Sequence, residues 1–87
     1  MVKSVSGTTP SSSTDLVLAY PTGFTMNNCS IVNVEIYYNG IWRNLSAMAN
    51  SSAYQVITSL RANGIYVYPT GSSAMNTAIR ITLLRIA

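Results

Sequence analysis

The stretch that decides the fold is SIVNVEIYYNGIWRNL, residues 30–45. Polar and apolar side chains alternate along residues 30–38, a pattern typical of a β-strand with one buried face. Asn39-Gly40 follows, and this dipeptide favours a two-residue hairpin turn because both residues tolerate positive φ. The turn sets the register of the hairpin. The predicted pairs are Tyr38 with Ile41, Tyr37 with Trp42, Ile36 with Arg43 and Val34 with Leu45.

Alternation also assigns the two faces of this strand. The predicted core face carries Val32, Val34, Ile36 and Tyr38. The opposite face carries Asn33, Glu35 and Tyr37. One strand with an apolar and a polar face is typical of an antiparallel sheet that covers a core on one side.

The rest of the chain repeats this pattern. Asn63-Gly64 predicts a second hairpin, in which Arg61 pairs with Tyr66. The last strand, 77–86, is predicted to have its C-terminal half buried on both faces, with Ile79, Ile81 and Leu83 on one face and Arg80, Thr82, Leu84 and Ile86 on the other. Residues 1–14 predict a polar N-terminal edge strand and loop. Short strands with regular turns predict one all-β domain over 1–87, a small antiparallel β-sandwich or jelly-roll-like fold.

A helix competes with this assignment only over residues 45–60. Ala47, Met48, Ala49 and Ala53 are compatible with a helix. The cluster at 50–52, Asn-Ser-Ser, favours a loop instead, followed by a strand over 54–60.

The composition predicts an oligomer. A chain of 87 residues is marginal as a lone domain, and small domains usually gain stability from disulfides, metals or assembly. Cys29 is the single cysteine, and there is no histidine, so we expect no intrachain disulfide, no metal and no cofactor. Charged residues make up 8% and hydrophobic residues 48%, which suits a permanent subunit interface. We expect a homo-oligomer.

The net charge of +3 reflects scarce acids and not a basic cluster. The four arginines are scattered along the chain, so nucleic-acid binding is not expected. No continuous apolar span of membrane-crossing length and no signal peptide occur, so membrane insertion is not expected either. Cys29 has two interpretations, a reactive or crosslinking thiol and a buried small hydrophobe, of which the second is favoured.

Catalytic chemistry has few candidate residues. Without histidine, serine and cysteine nucleophiles lack their usual base. Asp15 and Glu35 are the only side-chain carboxylates, and surface or ion-pair roles are commoner for two isolated acids than a glycosidase pair. We therefore expect a protein that is not an enzyme.

Tyrosine and tryptophan dominate the aromatic residues, with six Tyr, one Trp and one Phe. Such side chains favour interfaces and ligand surfaces because they combine an apolar ring with a polar group. A sugar could stack on the Tyr37–Trp42 pair and bond nearby polar groups, or these rings could pack against another subunit. The candidate ligand-binding residues are Tyr37, Trp42, Glu35 and Asn44, with Arg61 and Tyr66 in the same or another patch.

Two segments carry a family resemblance: KSVSGTT at 3–9 and YPTGFTMNNC at 20–29. Together with the alternating strand, the Trp and the apolar and basic last strand, the chain resembles modules of tail and tail-fibre proteins from bacteriophages and prophages of Gram-positive gut bacteria. The resemblance implies a homotrimeric β-sandwich in the virion, in contact with other tail proteins and with host cell-surface polysaccharide. It leaves open a fibre tip, a separate small virion protein or an excised domain. A lectin-like carbohydrate-binding domain unrelated to phage is the alternative.

Overall fold

The computed structural model describes residues 1–47 and 52–86. It contains seven strands and two short 3₁₀ turns, Leu45–Ala47 and Ser72–Ala74, and no α-helix occurs within those ranges. The strands are β1 (Val2–Thr8), β2 (Leu16–Leu18), β3 (Cys29–Tyr38), β4 (Ile41–Asn44), β5 (Val56–Arg61), β6 (Gly64–Pro69) and β7 (Ala78–Arg85). The prediction of an all-β chain is confirmed.

The strands form two sheets in which every neighbouring pair is antiparallel. One sheet has four strands in the order β1-β7-β3-β4, and the other has three in the order β2-β6-β5. The first strand pairs with the last and the second with the sixth, so the two ends of the chain are brought together. The predicted antiparallel pairing is confirmed.

The apolar faces of the two sheets share one core. The four-stranded sheet contributes Ile36, Ile79, Ile81 and Leu83, and the three-stranded sheet contributes Ile65 and Val67, all fully buried. Gly7 on β1 brings the sheets close together, since a Cβ there would lie 2.7 Å from a methyl group of Leu18. Burial of one face of each sheet leaves two outer faces, which carry the candidate functional residues.

The first hairpin has the predicted register. Tyr38 lies opposite Ile41, Tyr37 opposite Trp42 and Ile36 opposite Arg43. Asn39 has φ of 52° and Gly40 has φ of 82°, as a tight hairpin turn requires. The ladder ends at Asn44, and Leu45 begins a 3₁₀ turn, so the predicted Val34–Leu45 pair does not belong to it.

The second hairpin corrects the predicted register by two residues. Arg61 lies opposite Gly64 and not opposite Tyr66, so the turn is made by Ala62 and Asn63. Gly64 is instead a strand residue that β2 approaches closely, because a Cβ there would lie 2.9 Å from the carbonyl oxygen of Leu18. A shift of two residues keeps every side chain on its predicted face, since the strand period is two.

Two predictions about apolar residues are wrong. Val32 does not face the core with Val34, because the β3–β7 register shifts between Ile31 and Asn33 and leaves the Val32 side chain 53% exposed. A β-bulge turns one residue out of the normal alternation in this way. The end of the last strand is not buried on both faces either, since Ile86 is 63% exposed.

Residues 45–60, for which a helix was the competing assignment, contain no α-helix in the part that the structure describes. The 3₁₀ turn Leu45–Ala47 follows the hairpin, and β5 begins at Val56, two residues later than the predicted start of the strand at 54. Asn50 and Ser51 of the predicted loop lie outside the described residues, as do the helix-compatible Met48 and Ala49.

Candidate functional site

The outer face of the four-stranded sheet carries a cluster of Glu35, Tyr37, Trp42 and Arg80, called here the outer cluster. Three adjacent strands position it. Tyr37 on β3 lies opposite Trp42 on β4, and Glu35 on β3 lies opposite Arg80 on β7. Side chains directly opposite on one face of an antiparallel pair are close enough to interact, so the sheet itself brings the four groups together.

Each member of the outer cluster touches another. The Arg80 guanidinium donates from Nε to Glu35 Oε1 at 2.8 Å and from Nη2 to Oε2 at 3.0 Å. The same guanidinium lies 4.5 Å from the centre of the Trp42 ring, which is a cation–π contact. The Tyr37 and Trp42 rings meet edge to face, with centroids 5.3 Å apart. Arg80 therefore covers part of the Trp42 ring that a ligand could otherwise use.

The ion pair determines the protonation states of Glu35 and Arg80. The hydrogen bond from Arg80 lowers the pKa of Glu35 below its usual value, against the opposing effect of burial. The same bond raises the pKa of Arg80. Glu35 is thus ionised at neutral pH, with both oxygens already accepting hydrogen bonds. It can orient Arg80, but it holds no proton to donate to a leaving group.

Asn44 lies next to this cluster and belongs to an amide pair. Its Nδ2 donates to Oδ1 of Asn33, and its own Oδ1 accepts from the backbone N–H of Ser46 at 2.9 Å. Asn44 is also directly opposite Glu35 in the hairpin. These bonds fix the orientation of the side chain at the end of β4.

A cleft of about 560 Å³ opens beside the amide pair. It lies between β3, the 3₁₀ turn after β4 and the start of β5. Ten described residues line it: Ile31, Val32, Asn33, Val34, Asn44, Leu45, Ser46, Ser52, Gln55 and Val56. Its volume is in the range of small-molecule sites. Because the lining combines aliphatic side chains with neutral amides and hydroxyls, the cleft suits an uncharged ligand that carries hydroxyl groups.

Arg61 and Tyr66 lie on the other side of the molecule, on the outer face of the three-stranded sheet. The Arg61 guanidinium stacks over the Tyr66 ring at 4.2 Å, although the two residues are not directly opposite. Asn63 Nδ2 donates to the Tyr66 hydroxyl at 2.6 Å. The six predicted residues therefore divide into two groups, Glu35, Tyr37, Trp42 and Asn44 on one sheet and Arg61 and Tyr66 on the other.

Two features of the site were not among the predicted site residues. Arg80 completes the outer cluster, and the alternation of the last strand did place it on the face away from Ile79 and Ile81. The pairing of Arg80 with Glu35 could not be predicted, because it depends on β7 lying beside β3. Val32 is among the residues that line the cleft, and its outward position follows from the β-bulge, which regular alternation does not predict.

Residues 1–47 and 52–86 contain no group of three or more His, Cys, Asp or Glu side chains that could hold a metal ion. Within the same ranges, no helix is long and apolar enough to cross a membrane. Cys29 is free and buried, and burial raises the pKa of its thiol.

No protein-family model matches this chain, and no similar curated protein or solved structure was found.

Proposed function

We propose that this chain is a non-enzymatic structural or host-adhesion module of a bacteriophage tail fibre or baseplate, folded as a β-sandwich and working as a homotrimer in the virion. Its partners are copies of itself, other tail proteins and host cell-surface polysaccharide. The resemblance at residues 3–9 and 20–29 supports the phage assignment. The fold and the surface of the molecule support the assembly and adhesion roles, as follows.

The observation that carries the assembly role is the amount of exposed aliphatic surface. Val17, Val32, Ile41 and Ile57 are each 47–57% exposed, and they are distributed over both sheets. Scattered surface hydrophobics are normal, but here they accompany a charged fraction of 8%. Association with another subunit through either sheet would remove part of this surface from water and supply stability that so small a core lacks.

The second of the two segments that carry the family resemblance, residues 20–29, has a structural role in the fold. Phe24 is buried, and its backbone N–H bonds the Pro21 carbonyl at 2.9 Å. The Asn28 side chain accepts from the Thr25 N–H at 2.7 Å and donates to the Gly23 carbonyl at 3.0 Å. Residues 20–29 thus form a fixed connection between the two sheets. The resemblance in this segment therefore supports a similar fold to the phage modules more directly than it supports a similar ligand.

The adhesion role depends on the outer cluster and the cleft. Tyr37 is 46% exposed. The part of its ring that does not contact Trp42 is therefore accessible to a ligand. Asn44 lies between the cluster and the cleft, where its neutral amide could bond sugar hydroxyls. A neutral polysaccharide is the ligand class that fits both. Arg80 holds Glu35 by two hydrogen bonds, and this supports a binding role over acid catalysis.

Molecular mass in solution tests the assembly role. Sedimentation equilibrium over a range of concentrations should give a mass three times the 9.4 kDa of one chain. A monomer at all concentrations would overturn the trimer. The genes beside the coding sequence test the phage assignment independently, since tail-assembly or lysis genes are expected there.

Binding to purified cell-wall polysaccharides of Gram-positive bacteria tests the adhesion role. Trp42→Ala should abolish binding while the mass stays that of the wild type. Tyr38→Ala is the matched control, because it removes an aromatic ring from the same hairpin but from the face opposite Tyr37 and Trp42, and it should leave binding unchanged. A Trp42→Ala protein that binds normally would show that the outer cluster is not the ligand surface. One that dissociates would assign Trp42 to a subunit interface.

A lectin-like domain unrelated to phage is the second candidate. It is favoured by the outer cluster, which is complete within one chain and needs no second copy. Polysaccharide binding by a stable monomer would select this alternative over the trimeric virion module.

A further inference from the structure

The outer face of the three-stranded sheet combines contiguous apolar side chains with two charged groups. Alternation places Val17 of β2, Tyr66 and Tyr68 of β6 and Ile57 of β5 on this face, away from the core. Val17 lies opposite Tyr66, and Tyr68 lies opposite Ile57, so the four side chains are contiguous. Val17 is 47% exposed and Ile57 is 57% exposed. Contiguous exposed apolar residues on a sheet indicate an interaction surface.

Two opposite charges lie at opposite corners of this face. Arg61 is the last residue of β5, at one edge of the sheet. Asp15 directly precedes β2, at the other edge, and continuation of the β2–β6 register places it beside Tyr68. Tyr68 is four residues along β6 from Gly64, the partner of Arg61. The two charges are therefore separated both across the sheet and along it.

Neither charge is neutralised by an acid or base within the described part of the chain. Arg61 donates to the Ser59 hydroxyl at 3.2 Å and stacks on Tyr66. Asp15 is exposed, and the ion pair of the described residues is Arg80 with Glu35. The sequence has two acidic side chains, so with Glu35 engaged, Asp15 is the remaining side-chain carboxylate in a second copy that could receive Arg61.

We propose that the outer face of the three-stranded sheet is the interface between copies of this chain, and that Asp15 of one copy pairs with Arg61 of the next. This inference rests on the proposed homo-oligomer and names its contact surface. A face with opposite charges at the two ends of one diagonal suits a closed ring of three copies, because a threefold rotation about an axis perpendicular to that diagonal brings Asp15 of each copy onto Arg61 of the next. Val17, Ile57 and the tyrosines then lie in the apolar centre, and the ion pairs lie at its rim.

Charge reversal tests the pair. Asp15→Arg and Arg61→Asp, each made alone, should raise the dissociation constant about tenfold or more, because like charges then meet across the interface. The double variant, Asp15→Arg with Arg61→Asp, should restore association, since the pair is re-formed with its signs exchanged. Sedimentation velocity over a dilution series measures all four proteins, and circular dichroism checks that each is folded.

Two apolar substitutions test the face itself. Ile57→Ser should weaken association, whereas Ile41→Ser, at a similarly exposed residue on the four-stranded sheet, should not. If Ile41→Ser dissociates the oligomer while the Asp15, Arg61 and Ile57 variants stay assembled, this interface is wrong and the proposed homo-oligomer stands. If the single reversals dissociate it and the double variant does not recover, the pair is wrong. A wild-type chain that is monomeric at every concentration overturns the oligomer and the interface together.

Discussion

Glu35 and Arg80 lie directly opposite each other on the two central strands of the four-stranded sheet, joined by two hydrogen bonds of 2.8 and 3.0 Å. The Glu35 side chain is 17% exposed, so a lone carboxylate there would be poorly hydrated. The paired guanidinium satisfies both of its oxygens and then stacks on Trp42. The arrangement of the four side chains in the outer cluster therefore depends on this pair.

Acid should destabilise the protein through Glu35. Because Arg80 lowers the folded-state pKa of Glu35, the stability that the pair contributes is complete above the usual pKa of 4.5 and is lost as the pH falls through the lowered folded value. Glu35→Gln cannot titrate, so this part of the pH dependence should be absent from that variant. Urea unfolding at a series of pH values from neutral downward measures both proteins. Parallel pH profiles would contradict the assignment.

Truncation of Ile81 should test the shared core. Ile81 is fully buried on β7, opposite Val5 of β1 and Val34 of β3. Ile81→Ala should lower the free energy of unfolding by about 2–5 kcal/mol, and Ile81→Val by about 0.5–1.5 kcal/mol. Urea unfolding at one fixed protein concentration compares them, since assembly makes stability concentration-dependent. Equal losses for the two variants would argue against a tightly packed site.

Gly64 and Gly40 should respond differently to alanine. Both have positive φ, 153° and 82°, but a Cβ at Gly64 would lie 2.9 Å from the Leu18 carbonyl oxygen, whereas nothing lies within 4 Å of one at Gly40. Gly40→Ala should cost about 1–2 kcal/mol from backbone strain alone. Gly64→Ala should cost roughly 1–3 kcal/mol more because the chain must move to relieve the overlap. Thermal unfolding ranks the two, and a smaller loss for Gly64→Ala would contradict the close approach of β2.

Cys29 should react slowly while the protein is folded. Its side chain is buried, its thiol donates to the Thr25 carbonyl at 3.1 Å, and burial raises its pKa, so little thiolate is available at neutral pH. Labelling with iodoacetamide should be slow in buffer and rapid in denaturant, with one label per chain. A crosslinked dimer on a non-reducing gel would instead support the alternative interpretation of Cys29 as an intermolecular thiol.

Part of the candidate site was predictable because its determinants are local. Tyr37 and Trp42 are separated by a four-residue stretch that contains Asn39-Gly40, and the conformations that this dipeptide tolerates set the pairing. Alternation then assigned Glu35 and Tyr37 to the outward face. The contact of Glu35 with Arg80 was not predictable, since the two residues are 45 positions apart and meet because β7 lies beside β3.

The sequence by itself determined the all-β fold class, the register of the first hairpin and which face of most strands is buried. These features could be predicted because turn chemistry and side-chain alternation act over a few residues. Tertiary structure alone decided that Val32 turns outward, that Gly64 serves a close strand approach and not a turn, and that Tyr66 lies on the opposite sheet from Trp42. Those outcomes depend on which strands become neighbours. That choice is made by burial of apolar surface between residues distant in the chain, and local pattern does not encode it.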